Sequence, residues 1–162
     1  MEEKAKKPVP PEVKELVEQM GEFMKTWGLK KIHGKIWSSL FLSETPLDAA
    51  ELMNRLDISK SLVSMTLSDL NEIELVEMTG KSDRGTQLYK ANSDLSVVVV
   101  NILRYRERKV LAQLNTSFNL VNTLPDDEKK KYKLDNDKIQ KVGDFINQAE
   151  TFLVNLLKPK AS

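Results

Sequence analysis

Six residues in one short stretch, Ser59, Lys60, Ser61, Ser64, Met65 and Ser68, carry small hydroxyls, one ammonium and one thioether at spacings that share a helix face. Val63, Leu67, Leu70 and Ile73 recur every three or four residues and define the opposite, apolar stripe. The chemistry such a face offers is recognition without bond making. Short hydroxyls approach base edges closely, Met65 or Thr66 offers an apolar contact to a thymine methyl, and a helix N-terminus with Lys60 suits a phosphate. Ser59 precedes the stripe as an N-cap, its hydroxyl placed to accept a free backbone N–H two or three residues on. A solvated amphipathic face is the competing reading, because serine-rich faces are common.

Residues for catalysis are scarce. His33 is the only histidine and cysteine is absent, which removes Cys/His pairs and leaves a Ser/His/Asp arrangement only if His33 takes part. No Gly-x-Ser-x-Gly or phosphate-loop pattern occurs. Asp126-Asp127-Glu128 and Asp135-Asn136-Asp137 are acidic, but the second lacks the glycine and distal glutamate of a calcium loop, so both read as helix caps. His33 reads as a phosphate-facing or surface residue. The expectation is no enzyme, no catalytic residue, no metal site and no cofactor.

The elements that position the serine-rich face follow from its flanks. Pro46-Leu47-Asp48 is an extended step and a cap, and Ala49 to Leu56 then carries apolar Ala50, Leu52, Met53 and Leu56 before Asp57-Ile58 breaks the pattern. A helix of about two turns, a tight break and a second capped helix is the order of a helix-turn-helix. Glu74 to Thr79 and Gln87 to Ala91 read as short strands around a Gly-containing loop from Gly80 to Thr86, which adds a wing.

Gly34-Lys35-Ile36-Trp37 through Leu42-Ser43, then Ile58-Ser59-Lys60, Val63-Ser64-Met65, Leu67, Leu70, Leu75-Val76 and Asp83-Arg84 stand in the order that resembles MarR-type winged helix-turn-helix transcriptional regulators, closest to the GbsR-like subgroup. The resemblance covers roughly the first two thirds of the chain in detail. It implies that Ser59, Lys60, Ser61, Ser64, Met65 and Ser68 face a major groove, that Arg84 reaches the minor groove or its phosphates, and that Asp83 orients Arg84. Two departures stand out: Leu62 occupies a position where Asn is usual, and Glu74 one where Gly usually ends the helix. A left-handed Glu74 would cost on the order of 1 kcal/mol.

With 162 residues the chain can bury one good core, and 40% hydrophobic with 30% charged residues is ordinary for a globular protein. No apolar run reaches the roughly 18 residues of a membrane span, so no membrane partner and a cytoplasmic location are expected. The net charge of +1 is low for a nucleic-acid binder. From Ser59 to Thr86, Lys60, Lys81 and Arg84 are outnumbered by Asp69, Glu72, Glu74, Glu77 and Asp83, so this stretch is not itself electropositive, which weighs against DNA reading. Positive charge gathers instead in Lys25, Lys30, Lys31, His33 and Lys35 and in Lys4, Lys6 and Lys7, either aimed at flanking phosphates or forming a solvated face.

The fold class expected is mainly α: a winged helix-turn-helix over 30–92, with an N-terminal arm and helix over 1–29 and a C-terminal helical region over 93–162 that form a dimerisation platform. Val13, Leu16, Val17, Met20, Phe23, Met24 and Trp27 share one face of the first helix, and Ile32, Ile36, Trp37, Leu40 and Phe41 point inward from the second. Behind the wing, Ser93-Asp94 caps a helix to about Asn122, whose beat is Leu95, Val99, Ile102, Arg106, Val110, Leu114, Phe118 and Val121. The last helix carries Ile139, Val142, Ile146, Ala149, Leu153 and Leu156, widened by Phe145, Phe152 and Leu157, a stripe broad enough to need a partner. A second copy of the chain or an intramolecular bundle would cover it.

Trp27, Trp37 and Tyr105 fall on three different helices. Core packing accounts for them, and the family resemblance adds an alternative, an effector pocket for a quaternary ammonium through cation–π attraction. Arg104, Arg106, Arg108 and Lys109 form a basic block that suits either an anionic effector or ion pairs between subunits. The function expected is a homodimeric, sequence-specific regulator of transcription, a repressor on a pseudo-palindromic double-stranded DNA operator and responsive to a small-molecule effector. The alternative is a winged-helix interaction module that has lost DNA reading.

Overall fold

The structure, a computed structural model, describes residues 8–158. It comprises two compact units that divide between Ile102 and Leu103, each described by itself. The first holds α1 (Pro11–Thr26), α2 (Lys31–Phe41), β1 (Leu47–Asp48), α3 (Ala49–Leu56), α4 (Lys60–Glu72), β2 (Val76–Lys81), β3 (Gln87–Ala91) and the opening turns of α5 (Leu95–Asn122). The second holds the remainder of α5 with α6 (Asp126–Lys131) and α7 (Asn136–Leu156). The architecture is mainly helical with one small antiparallel sheet, a winged helix.

Pro11 opens α1 at a position where its missing N–H costs nothing. The helix then meets α2 backbone to backbone. A Cβ on Gly34 would lie 2.6 Å from the Met20 carbonyl oxygen and 2.8 Å from the Gly21 Cα, so no larger residue fits. Charges lock the same crossing: the Lys31 ammonium pairs with Glu18 and, at 2.7 Å, with Glu22, and Lys35 pairs with Glu18 at 2.9 Å. The two glutamates are held below the usual carboxylate range, Glu22 chiefly by its hydrogen bond from Lys31 and Glu18 by those from Lys31 and Lys35, and Lys31 is pushed up to about 12. These ties therefore persist at neutral pH and are lost as pH falls through the lowered carboxylate range.

The core of the first unit is built from Ile36, Leu47, Leu52, Val63, Leu67, Leu70, Leu75 and Val76, all essentially inaccessible to solvent. Trp37 is buried and stacks on Phe41 with centroids 4.8 Å apart, but Phe41, expected inward, keeps one side exposed at the last turn of α2. Two further expectations are corrected by helix phase. Ala50 is exposed, because α3 is two turns long and buries a single row around Leu52. Thr66, expected to be available to a thymine methyl, is buried beside Val63, Leu67 and Leu70 on the inner face of α4.

His33 is the largest correction. It is only 3% exposed, not a surface residue. Its Nδ1 accepts the backbone N–H of Lys30 at 3.0 Å, closing the N-terminus of α2 in place of a serine or aspartate cap. Its Nε2 lies 3.0 Å from Oδ2 of Asp69 on α4. Because Nδ1 accepts, the ring proton sits on Nε2 and is donated to the carboxylate.

The sheet runs β1-β3-β2. Leu47 and Asp48, expected only as an extended step, pair with Tyr89 and Leu88 and so make the third strand. A bulge between Met78 and Gly80 shifts the register of β2 against β3 just before the wing. At the end of α4 the Leu75 N–H reaches the Leu70 carbonyl at 2.9 Å and the Glu74 N–H reaches that of Asn71 at 3.1 Å. This is the Schellman arrangement, with Glu74 at a left-handed φ of 59° where glycine is preferred.

Asp94 caps α5, accepting from the Ser96 and Val97 N–H groups, so the run of four valines enters a helix. In its opening turns Val98, Asn101 and Ile102 are buried, whereas Leu95 and Val99, expected to be inward, are exposed. Ile102 is buried as expected, but the inner face ahead of it runs through Val98 rather than Val99, because β-branched residues fill both sides of this turn and leave its phase undetermined from sequence. In the second unit, Lys129 is buried and donates its ammonium to the Asn122 carbonyl at 2.9 Å, at the end of α5. Asp135 caps α7 through the Asp137 and Lys138 N–H groups, as expected of that acidic cluster. The Phe118 ring lies against Gly143, where a Cβ would come within 2.8 Å of Cζ.

His33→Ala is expected to lower unfolding stability by about 2–3 kcal/mol, since it opens a cavity and removes two hydrogen bonds. Asp69→Asn, which keeps an acceptor, is expected to cost about 1 kcal/mol or less. Thermal unfolding of both variants checks this, and equal, negligible shifts would contradict the bridge. In the opposite direction, Glu74→Gly is expected to stabilise by about 1 kcal/mol and to raise Tm by roughly 2–4 °C.

Candidate nucleic-acid interface

The outward row of α4 consists of Lys60, Ser61, Ser64, Met65 and Ser68, all exposed, with Met65 57% accessible. Ser59 caps the helix by accepting the Leu62 N–H at 3.2 Å, and its hydroxyl lies 3.2 Å from that of Ser61. Ser64 and Ser68 make no hydrogen bond with other described residues, so their hydroxyls are free. At a rise of 1.5 Å per residue the row from Ser61 to Ser68 spans about 10 Å, the reach of roughly three base pairs. Leu62, the departure at the usual Asn position, is half-buried and packs inward in part.

The wing tip is clasped between Ser82 and Thr86. The Ser82 N–H donates to the Thr86 carbonyl at 2.8 Å, and the Gly85 N–H donates to the Ser82 carbonyl at 2.9 Å. Arg84 stands exposed at the tip and Lys81 at the end of β2. Asp83 and Arg84 share no hydrogen bond or ion pair, so the orienting role expected of Asp83 has no direct contact behind it.

Charge on this surface differs from a count along the chain. Asp69 is engaged by His33 and Glu77 by Lys90 at 2.8 Å. Lys60, Lys81 and Arg84 form no ion pair with another described residue. Three cations, Lys60, Lys81 and Arg84, and three exposed carboxylates, Glu72, Glu74 and Asp83, are therefore left without an ion-pair partner among the described residues of α4 and the wing. Lys35, expected beside them, is committed to Glu18, and Lys31 to Glu18 and Glu22. Lys25 and Lys30 remain exposed, while Lys4, Lys6 and Lys7 lie outside the described residues.

The aromatic residues expected around an effector have other neighbours. Trp27 packs on Phe23 with centroids 4.9 Å apart, and Trp37 on Phe41, whereas Tyr105 belongs to the second unit. Among the described residues no group of His, Asp or Glu is arranged to hold a metal ion, and no helix is long and apolar enough to cross a membrane. Sequence reasoning missed His33, Asp69 and Asp48 as the residues that place these surfaces. The signal available for His33 was its position three residues after Lys30, where the last residue of a capping box stands.

Residues 40–78, from the end of α2 into β2, match the family described as bacterial regulatory protein, ArsR family. The chain is 19% identical over 138 residues to the HTH-type transcriptional repressor OpcR of Bacillus subtilis (strain 168), covering 85% of this chain and 75% of that one. A crystal structure of a transcriptional regulator superposes with a TM-score of 0.60 at 15% identity, over 91% of this chain and 96% of that one. The apo form of MarR from E. coli is more distant, with a TM-score of 0.43 at 15% identity over 77% of this chain and 92% of its own. Together the family match, the repressor relative and the shared architecture support a transcriptional regulator with a winged helix-turn-helix fold.

Proposed function

We infer that the chain is a homodimeric, sequence-specific binder of double-stranded DNA, of GbsR-like type, that represses transcription from a pseudo-palindromic operator. The observation that carries this reading is the exposed, uncharged row Ser61, Ser64, Met65 and Ser68 on α4, bracketed by the unpaired Lys60, Lys81 and Arg84. Free hydroxyls and a thioether suit base edges and a thymine methyl, and the flanking cations suit phosphates. Both sequence departures are accommodated by the fold, Glu74 completing the helix cap and Leu62 standing half-buried on α4.

A second copy supplies what one reading head lacks. With three unpaired cations among the described residues of α4 and the wing, one head neutralises few phosphates, and a two-fold pair doubles the contacts at a fixed half-site spacing. Apolar surface for such pairing is present on α7, where Phe145 is 64% and Phe152 65% exposed, with Val142, Val154 and Leu156 also accessible. Patches of this kind mark association sites.

Lys60→Ala and Arg84→Ala are each expected to weaken duplex binding about tenfold near physiological salt and to reduce the slope of log affinity against log salt by about 1. Fluorescence anisotropy across a salt series reads both, and absence of duplex binding by the unaltered protein at low salt would favour an interaction module instead. The double variant Phe145→Asp, Phe152→Asp is expected to sediment as a monomer of 18.5 kDa chains, where the native protein sediments as a dimer. Native protein that is itself monomeric at micromolar concentration would exclude the dimer.

A further inference from the structure

We propose that Asp48 is the positioning residue of the wing, holding Arg84 at a fixed place relative to the recognition helix through a one-way chain of hydrogen bonds. The proposal rests on the DNA-reading role of α4 and the wing. One oxygen of Asp48, Oδ1, accepts the Glu51 N–H at 2.9 Å and caps α3, while Glu51 returns a bond to the Asp48 N–H at 3.0 Å. The other oxygen, Oδ2, lies 2.9 Å from Oγ1 of Thr86, thirty-eight residues away at the base of the wing tip. Thr86 Oγ1 is in turn 2.6 Å from Ser82 Oγ, which accepts the Thr86 N–H at 3.2 Å.

The direction of this chain is set by its end. An ionised carboxylate only accepts, so Thr86 donates its hydroxyl hydrogen to Asp48; its oxygen is then free to accept from Ser82, whose own oxygen takes the Thr86 N–H. Every hydrogen has one destination. The three residues enclosed by Ser82 and Thr86 are Asp83, Arg84 and Gly85, so the clasp fixes the stem on which Arg84 stands. The same carboxylate starts α3, and α3 packs on α4, so a single side chain refers the minor-groove contact and the major-groove contact to one point. Among the described residues, what otherwise joins the wing to the rest of the sheet is the strand pairing up to Lys81 and Gln87 and the bond from the Gln87 amide to the Gly80 carbonyl at 2.7 Å.

Two variants separate the clasp from the helix cap. Thr86→Val removes the hydroxyl at constant shape, and Asp48→Ser retains a good N-cap while its single short oxygen cannot serve Thr86 as well. In both, NMR order parameters at Asp83, Arg84 and Gly85 are expected to fall from the rigid range of about 0.85 to below about 0.6. Thermal stability should change little. Arg84→Ala should weaken duplex binding about tenfold in the native background but less than about threefold in Thr86→Val, because an unplaced arginine has little left to lose. Unchanged order parameters, or an equal cost of Arg84→Ala in both backgrounds, would overturn the proposal. If the native protein binds no duplex at low salt, the DNA reading fails and the placing of a DNA contact falls with it; the order parameters then report separately whether the clasp exists.

Discussion

The bond between His33 Nε2 and the Asp69 carboxylate, 3.0 Å long, joins the start of α2 to the third turn of the recognition helix. Because Nδ1 is already taken by the Lys30 N–H, the ring cannot turn or flip without losing one of its partners. The apolar row Val63, Thr66, Leu67 and Leu70 draws α4 onto the core, but apolar burial is non-directional and tolerates small rotations. The directed bond from His33 removes that freedom, and with it fixes which residues of α4 look outward.

Positioning on this fold is delegated to few polar side chains, each serving two elements. His33 closes α2 and steadies α4; Asp48 starts α3 and reaches the wing; Lys129 ends α5 from within α6. The acidic residues that make the reading module unfavourable for DNA by simple count are partly used up in this way, Asp69 on His33 and Glu77 on Lys90. What remains toward solvent is a neutral serine and methionine row, with Lys60, Lys81 and Arg84 now matched rather than outnumbered by the exposed Glu72, Glu74 and Asp83. In the proposed reading, a surface of that kind takes specificity from geometry and affinity from a second copy.

Much of this was legible in the sequence because it is local. Ser59 as a cap, the break at Asp57, the two wing strands and the left-handed cost at Glu74 all follow from residues within a few positions of one another. Helix entry of the valine run at 97–100 was also readable, from the Asp94 cap and the spacing beyond it. What escaped depends on contacts distant in sequence: the burial of His33 by Asp69, the commitment of Lys35 to Glu18, and the reach of Thr86 to Asp48. A lysine or a histidine carries no mark of its future partner, and so charge was assigned to DNA where the fold spends it on itself. Phase errors at Thr66 and in the opening of α5 have a different origin, because β-branched and apolar residues on both sides of a turn leave its inner face ambiguous.

The central claim is that α4 and the wing read a duplex as a two-fold pair, and selection of bound fragments from random double-stranded DNA tests it most directly. The account predicts enrichment of an inverted repeat whose half-sites lie about 10 base pairs apart, centre to centre. Recovery of no common sequence from selection at low salt, or of a single unpaired half-site, would contradict it.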